Sequence, residues 1–197
     1  MSVKHFACLL PHALRINLLT YPLLFMLLAT AISNMLGQEE PFPMNWEGTW
    51  SGKLEIYYQN QLRQSVPMEL SIRPIDSMRW EYQTIYSPSK NPVEKAYELV
   101  AQSPERGQYI IDEKNGILLQ AQYQEGCLYS AFEVMGNHLQ SRICLRDGNL
   151  HYEIVSGPAS PAKTTGDVVM GSDTIPPVQV FSRPSVQRAI LKKVTSP

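Results

Sequence analysis

The chain has 197 residues, 44% of them apolar and 18% charged, enough for one domain with a proper core and too few for two large ones. Its formal net charge is −1, and Lys4 and Arg15 are the only charged side chains in the first 37 residues, so the remainder carries an excess of acid. With no cluster of Lys and Arg, the composition excludes nucleic acid and an anionic membrane surface as main partners.

Residues 1–37 have the three-part form of a secretory signal. Lys4 to Arg15 make a basic n-region, NLLTYPLLFMLLATAI an apolar h-region, and small residues follow. The small-x-small pattern places cleavage after Ala31 or Ser33, and cleavage after Gly37 would leave Gln38 as the new terminus. The alternative is an uncleaved anchor, since residues 18–36 approach spanning length, although Thr20, Pro22, Thr30, Ser33 and Asn34 dilute the run. Any membrane contact is expected through this segment alone. The signal implies a secreted or periplasmic location, where two remaining cysteines, Cys127 and Cys144, meet an oxidising environment. Cys8 precedes the apolar run and is poorly placed for lipidation.

Residues 38–44 read as a polar lead-in, broken by Pro41 and Pro43 and at best an ordered tail. A domain over 45–194 follows. From Trp50 the even positions Trp50, Gly52, Leu54, Ile56 and Tyr58 alternate with Ser51, Lys53, Glu55 and Tyr57, the period-2 pattern of a half-buried strand with its even face inward. Asn60 and Gln61 turn the chain. A second strand has Val66, Met68, Leu70 and Ile72 inside, and Pro67 marks a bulge or a locally unpaired point. A third has Met78, Trp80, Tyr82, Thr84 and Tyr86 on one face.

Two shorter runs, 95–102 and 107–112, are joined by the turn-forming SPER. DEKNG then predicts a hairpin pairing 109–112 with 117–123; Asp112 and Glu113 at its tip read as a solvated turn. Three more strands are separated by Gly136-Asn137 and Asp147-Gly148-Asn149. A turn at Gly136-Asn137 would set Phe132 opposite Ser141 and Ser130 opposite Ile143. Cys127 and Cys144 would then share the outer face, diagonally offset, as either a bridge or two free thiols.

Between 156 and 185 the composition shifts to Pro, Ser, Thr and Gly, a long loop that is either a lid over a barrel mouth or a flexible segment carrying a short strand at 167–170. VQRAILKKV at 186–194 resumes a strand that would close the sheet against the first. About ten strands joined by short turns predict an all-β fold, a single antiparallel up-and-down barrel after the N-terminal signal segment, with a side-chain-lined interior.

Gly48-Thr49-Trp50 on the first strand of such a barrel resembles the lipocalin and wider calycin signature. That resemblance implies a barrel binding small hydrophobic molecules, in which Trp50 closes one end and an Arg from the last strand packs over it; Arg188 is the candidate. Extended to Gly48-Thr49-Trp50-Ser51-Gly52, the stretch also resembles the haem-binding nitrobindins, whose pattern continues with further glycines where this chain has Lys53 and Leu54. Haem would need His138 or His151 as axial ligand, and the alternation puts His151 outside.

The expected interior lining is Trp50, Leu54, Met68, Trp80, Tyr82, Tyr86, Phe132 and Tyr152, bulky groups with hydroxyl tips suited to a hydrophobic or amphipathic ligand. No catalytic constellation, metal cluster or phosphate loop is present in the pattern, and Ser130 and Ser141 have no inward His beside them. A barrel cyclase or isomerase built on a Tyr and a carboxylate remains an alternative class. The leading expectation is an exported, monomeric, lipocalin-like carrier with no cofactor; the second is a structural or envelope-interaction barrel with no ligand.

Overall fold

The computed structural model describes residues 40–87 and 91–195; the predicted signal or anchor lies outside them. The strands in chain order are β1 (Gly48–Tyr58), β2 (Gln61–Pro74), β3 (Arg79–Tyr86), β4 (Val93–Ser103), β5 (Gln108–Asp112), β6 (Leu118–Gln124), β7 (Cys127–Val134), β8 (Asn137–Arg146) and β9 (Asn149–Pro158). Four short strands follow, β10 (Lys163–Thr165), β11 (Val168–Met170), β12 (Asp173–Ile175) and β13 (Val178–Val180), and then β14 (Ser185–Lys193). β1 to β9 and β14 form one closed antiparallel barrel in chain order, β14 pairing with both β9 and β1. Among the described residues no helix is long and apolar enough to cross a membrane.

Tight turns drive this meander. Gln59-Asn60, Glu125-Gly126, Met135-Gly136 and Asp147-Gly148 all have positive φ at both central residues, the geometry whose twist matches that of the flanking strands. The first of these corners lies one residue earlier than Asn60-Gln61, and the β7–β8 corner is Met135-Gly136 rather than Gly136-Asn137. The latter moves the register by two residues: Phe132 faces Leu139, Ser130 faces Ser141 and Cys127 faces Cys144 directly. An even shift leaves every side chain on its expected face. The two cysteines are bridged on the outer wall, with Cα atoms 4.0 Å apart.

The glycines flanking Trp50 have a steric reason at the barrel seam. A Cβ on Gly52 would stand 2.4 Å from the Ile190 carbonyl oxygen of β14, and one on Gly48, whose φ is +121°, would meet Lys193 at 2.9 Å. Gly52 therefore lets β1 lie close enough to β14 to close the ring. Pro67 is no bulge. It pairs with Lys53 of β1, and its carbonyl accepts the Ser87 N–H at 2.8 Å on the β3 side. Since N–H and C=O of one strand residue point the same way, the missing donor falls where the β3 ladder is just beginning. The bulge in β2 is at Arg63, where Ile56 pairs with Gln64 and Tyr57 with Leu62.

The lead-in is not a tail. Phe42 and Trp46 are buried in the core and Pro43 is fully enclosed, with a 3₁₀ turn at Met44–Trp46 carrying the chain into β1. The run 156–185 carries the expected short strand as β11, but the rest of it is no structureless loop either. β10 pairs with β13 and β11 with β12 in one unbroken register, so that Gly166-Asp167 falls opposite Pro176-Pro177. The result is a two-stranded arm extending the β9–β14 hairpin. Its base is held where Arg183 contacts His138 Nδ1 at 3.0 Å and Ala159 N–H donates to the Gly136 carbonyl at 2.9 Å. Every residue from 160 to 179 is exposed, so in this conformation the arm covers nothing.

Candidate functional site

The two ends of the barrel differ. At the end where β1 begins, the interior is solid. Phe42 stacks on Tyr123 with ring centroids 4.0 Å apart and meets Trp46 and Tyr109 edge-on at 4.9 Å. The Trp50 indole N–H donates to the Trp46 carbonyl at 2.7 Å, Trp80 reaches the Glu47 carboxylate at 3.4 Å, and the Tyr109 hydroxyl reaches the Phe42 carbonyl at 3.4 Å. Emptying one such aromatic site costs roughly 3–5 kcal/mol, so this end is a structural plug. The lead-in residues fill it because Phe42 and Trp46 are too apolar to leave in water.

Lys193 completes the plug. Its ammonium lies 5.3 Å from the Trp50 ring centroid. The assignment of that place to Arg188 is corrected by the register: Trp50 pairs with Lys193, whereas Arg188 pairs with Glu55 on the outer face. There its guanidinium lies 4.8 Å over the Tyr57 ring, donates to the Tyr57 hydroxyl at 3.1 Å and approaches Glu55 at 3.6 Å.

Toward the opposite end the interior opens into a cavity of about 160 Å³. Tyr82, Tyr86 and Thr84 of β3 line it from one side and Phe132, Ser141, Ile143, Tyr152 and Ile154 from the other. Ile111, Leu119, Ser130, Lys95, Tyr97 and Glu113 complete the lining. The Ser130 and Ser141 hydroxyls bond each other at 2.8 Å, which satisfies them without a histidine. Burial drives the phenol pKa of Tyr82 and Tyr152 upward, Tyr152 also feeling Tyr86 and Tyr82. Tyr97 is pushed up to about 12, first by burial and then by the Glu113 carboxylate that its hydroxyl bonds. The phenols therefore stay protonated at neutral pH, as hydrogen-bond donors.

Of the residues expected to line a ligand space, Tyr82, Tyr86, Phe132 and Tyr152 border this cavity. Trp50, Leu54, Met68 and Trp80 instead lie in the packed core. Tyr97, Lys95 and Glu113 were not among the expected residues. Their signal was present in the same alternation: Tyr97 continues Leu99 and Ala101, and Glu113 continues Tyr109 and Ile111, each two residues further along an inward face. Glu113 is half-buried rather than a solvated tip residue, and only Asp112 of that pair points outward. His138 and His151 lie on the outer face, at Arg183 and beside Ile190 respectively. Neither meets the cavity, whose volume is a fraction of a porphyrin's, so the residues present do not fit an axially ligated haem. Among the described residues no group of His, Cys, Asp and Glu has metal-site geometry.

A larger concavity lies outside the barrel. A trough of about 670 Å³ runs over the outer faces of β5 to β9, where Ala131 is flanked by Tyr129, Gln120, Gln140 and Arg142, and a second of about 520 Å³ adjoins it around His151 and Arg188. These are gaps between long exposed side chains. The smaller interior cavity is the better ligand site because apolar walls and polar groups converge on it from seven strands.

No family model matches the chain, and no curated protein matches it. Among solved structures, a mutant of the fluorescent protein UnaG is similar at 12% sequence identity and a TM-score of 0.40, covering 77% of this chain and 97% of that one. That distance is too great to carry a ligand or a role across.

Proposed function

We propose that this barrel is an exported, lipocalin-like carrier that holds one small amphipathic molecule, of about single-ring size, at its open end. The observation that supports the reading is the asymmetry of the interior: one half is packed solid by aromatic rings, and the other keeps a lined space of about 160 Å³. A cavity of this order accommodates roughly a benzene-sized group. Apolar walls at Leu119, Ile143 and Ile154 take the ring, and the hydroxyls of Tyr86, Tyr97 and Tyr152 take a polar end. Export rests on the signal pattern of residues 1–37 and agrees with the bridged Cys127 and Cys144.

Native mass spectrometry of the gently purified protein tests the carrier reading. A retained mass of one small molecule per chain is expected, lost in Phe132→Trp, which fills the mouth at a half-buried position. A ligand-free protein that also takes up no added p-cresol overturns it. Terminal sequencing of the exported protein should begin after Ala31, Ser33 or Gly37, and an intact Met1 on a membrane-bound chain would contradict the cleaved signal.

A further inference from the structure

The cavity places one carboxylate among four phenol rings. Tyr82 and Tyr97 are paired across β3 and β4, and Tyr86 and Tyr152 line the same space. The β4–β5 ladder pairs Leu99 with Ile111, so its continuation brings Glu113 opposite Tyr97. Lys95 lies one inward position nearer the rim and is exposed, so its flexible ammonium reaches water. No cation lies within ion-pair distance of Glu113 among the described residues, whose carboxylate accepts from Asn115 Nδ2 at 3.3 Å and from the Tyr97 hydroxyl. A carboxylate offers about four lone-pair sites, so acceptor capacity remains. Aromatic rings beside a carboxylate favour a cation twice over, through the negative ring face and through direct charge.

Resting on the carrier reading, we propose that the occupant is a small organic cation, a one-ring amine whose ammonium meets the Glu113 carboxylate and whose ring lies among Tyr82, Tyr86, Tyr97 and Tyr152. The apolar lining at Leu119, Ile143 and Ile154 takes the ring edge, and Glu113 takes the charge. Neutral molecules of the same shape fill the cavity but bring the carboxylate no cationic partner.

Calorimetric titration of the processed protein with phenethylamine and with its neutral isostere propylbenzene tests this. A charge-assisted hydrogen bond separates the two compounds, so the amine should bind at least about tenfold more tightly. Glu113→Gln, at a half-exposed rim position that leaves the fold intact, should erase the preference while propylbenzene binding stays unchanged. Equal binding of the two compounds, or a preference that survives Glu113→Gln, overturns the cation inference and leaves the carrier reading standing. If neither compound binds, the cavity reading falls with it.

Discussion

Tyr82, Tyr97 and Tyr152 show how burial, ahead of any neighbour, sets a chemical state. Each phenol is held neutral above its ordinary pKa of 10.0, Tyr97 up to about 12, with burial the first cause in every case. Tyr109, in the aromatic plug, is raised in the same direction by burial. In the unfolded chain these groups lose their protons near pH 10, while the folded chain keeps them. Between about pH 10 and 12 the native state therefore binds more protons than the unfolded state, and stability falls as pH rises. Below that window these groups contribute no pH dependence. Denaturant unfolding at pH 8, 10 and 11 should show a flat midpoint to about pH 10 and then a steep fall, shallower in Tyr152→Phe. Tyrosinate absorbance appearing near pH 10 from the still-folded barrel, for all four rings, would contradict the burial described here. At this scale, alternation gave the inward direction of Tyr82, Tyr86 and Tyr152 directly. It could not tell that Trp50 and Trp80 sit in solid packing and the tyrosines beside open space, because that difference comes from Phe42 and Trp46 entering from outside the strands.

Among the elements, the β9–β14 connection departs most from what its composition suggests. Pro- and Gly-rich sequence reads as loop, yet one register runs through both short ladders, with Gly166-Asp167 opposite Pro176-Pro177 at the break. A break of that kind hides a ribbon from any period-2 count, since no strand in it exceeds three residues. Val168, Val169 and Met170 near the tip are half or more exposed, and an isolated two-stranded ribbon is marginal in water. The barrel should not depend on it, because the β9–β14 ladder already runs from Lys192 to Ser185 without the arm. Replacing residues 161–181 by a short turn is expected to change the unfolding free energy by no more than about 1 kcal/mol and ligand affinity by less than about twofold. Loss of binding on deletion would instead make the arm part of the site, as a lid that closes in another conformation. The β7–β8 hairpin gives the complementary lesson. Its faces were legible from alternation, but its register depended on which two residues take positive φ, and Met135 is a poor advertisement for that role.

For the molecule as a whole, the closed ring of ten strands was legible because every barrel strand carries its own inward alternation and nearly every corner its own turn residues. Two features bound function and were not legible. One is the plug, which depends on a lead-in whose prolines masked the burial of Phe42 and Trp46. The other is the modest size of the remaining space, which depends on how closely side chains from opposite walls meet. Together they convert a roomy barrel into one with a cavity of about 160 Å³ at a single end. Calorimetry of the purified protein against a size series, from p-cresol through naphthol to a long-chain fatty acid, measures that directly. One-to-one binding of the single-ring compound, with affinity falling as size increases and no binding of the fatty acid, is the expected result; tight binding of the fatty acid, or a series in which the largest ligand binds best, would contradict it.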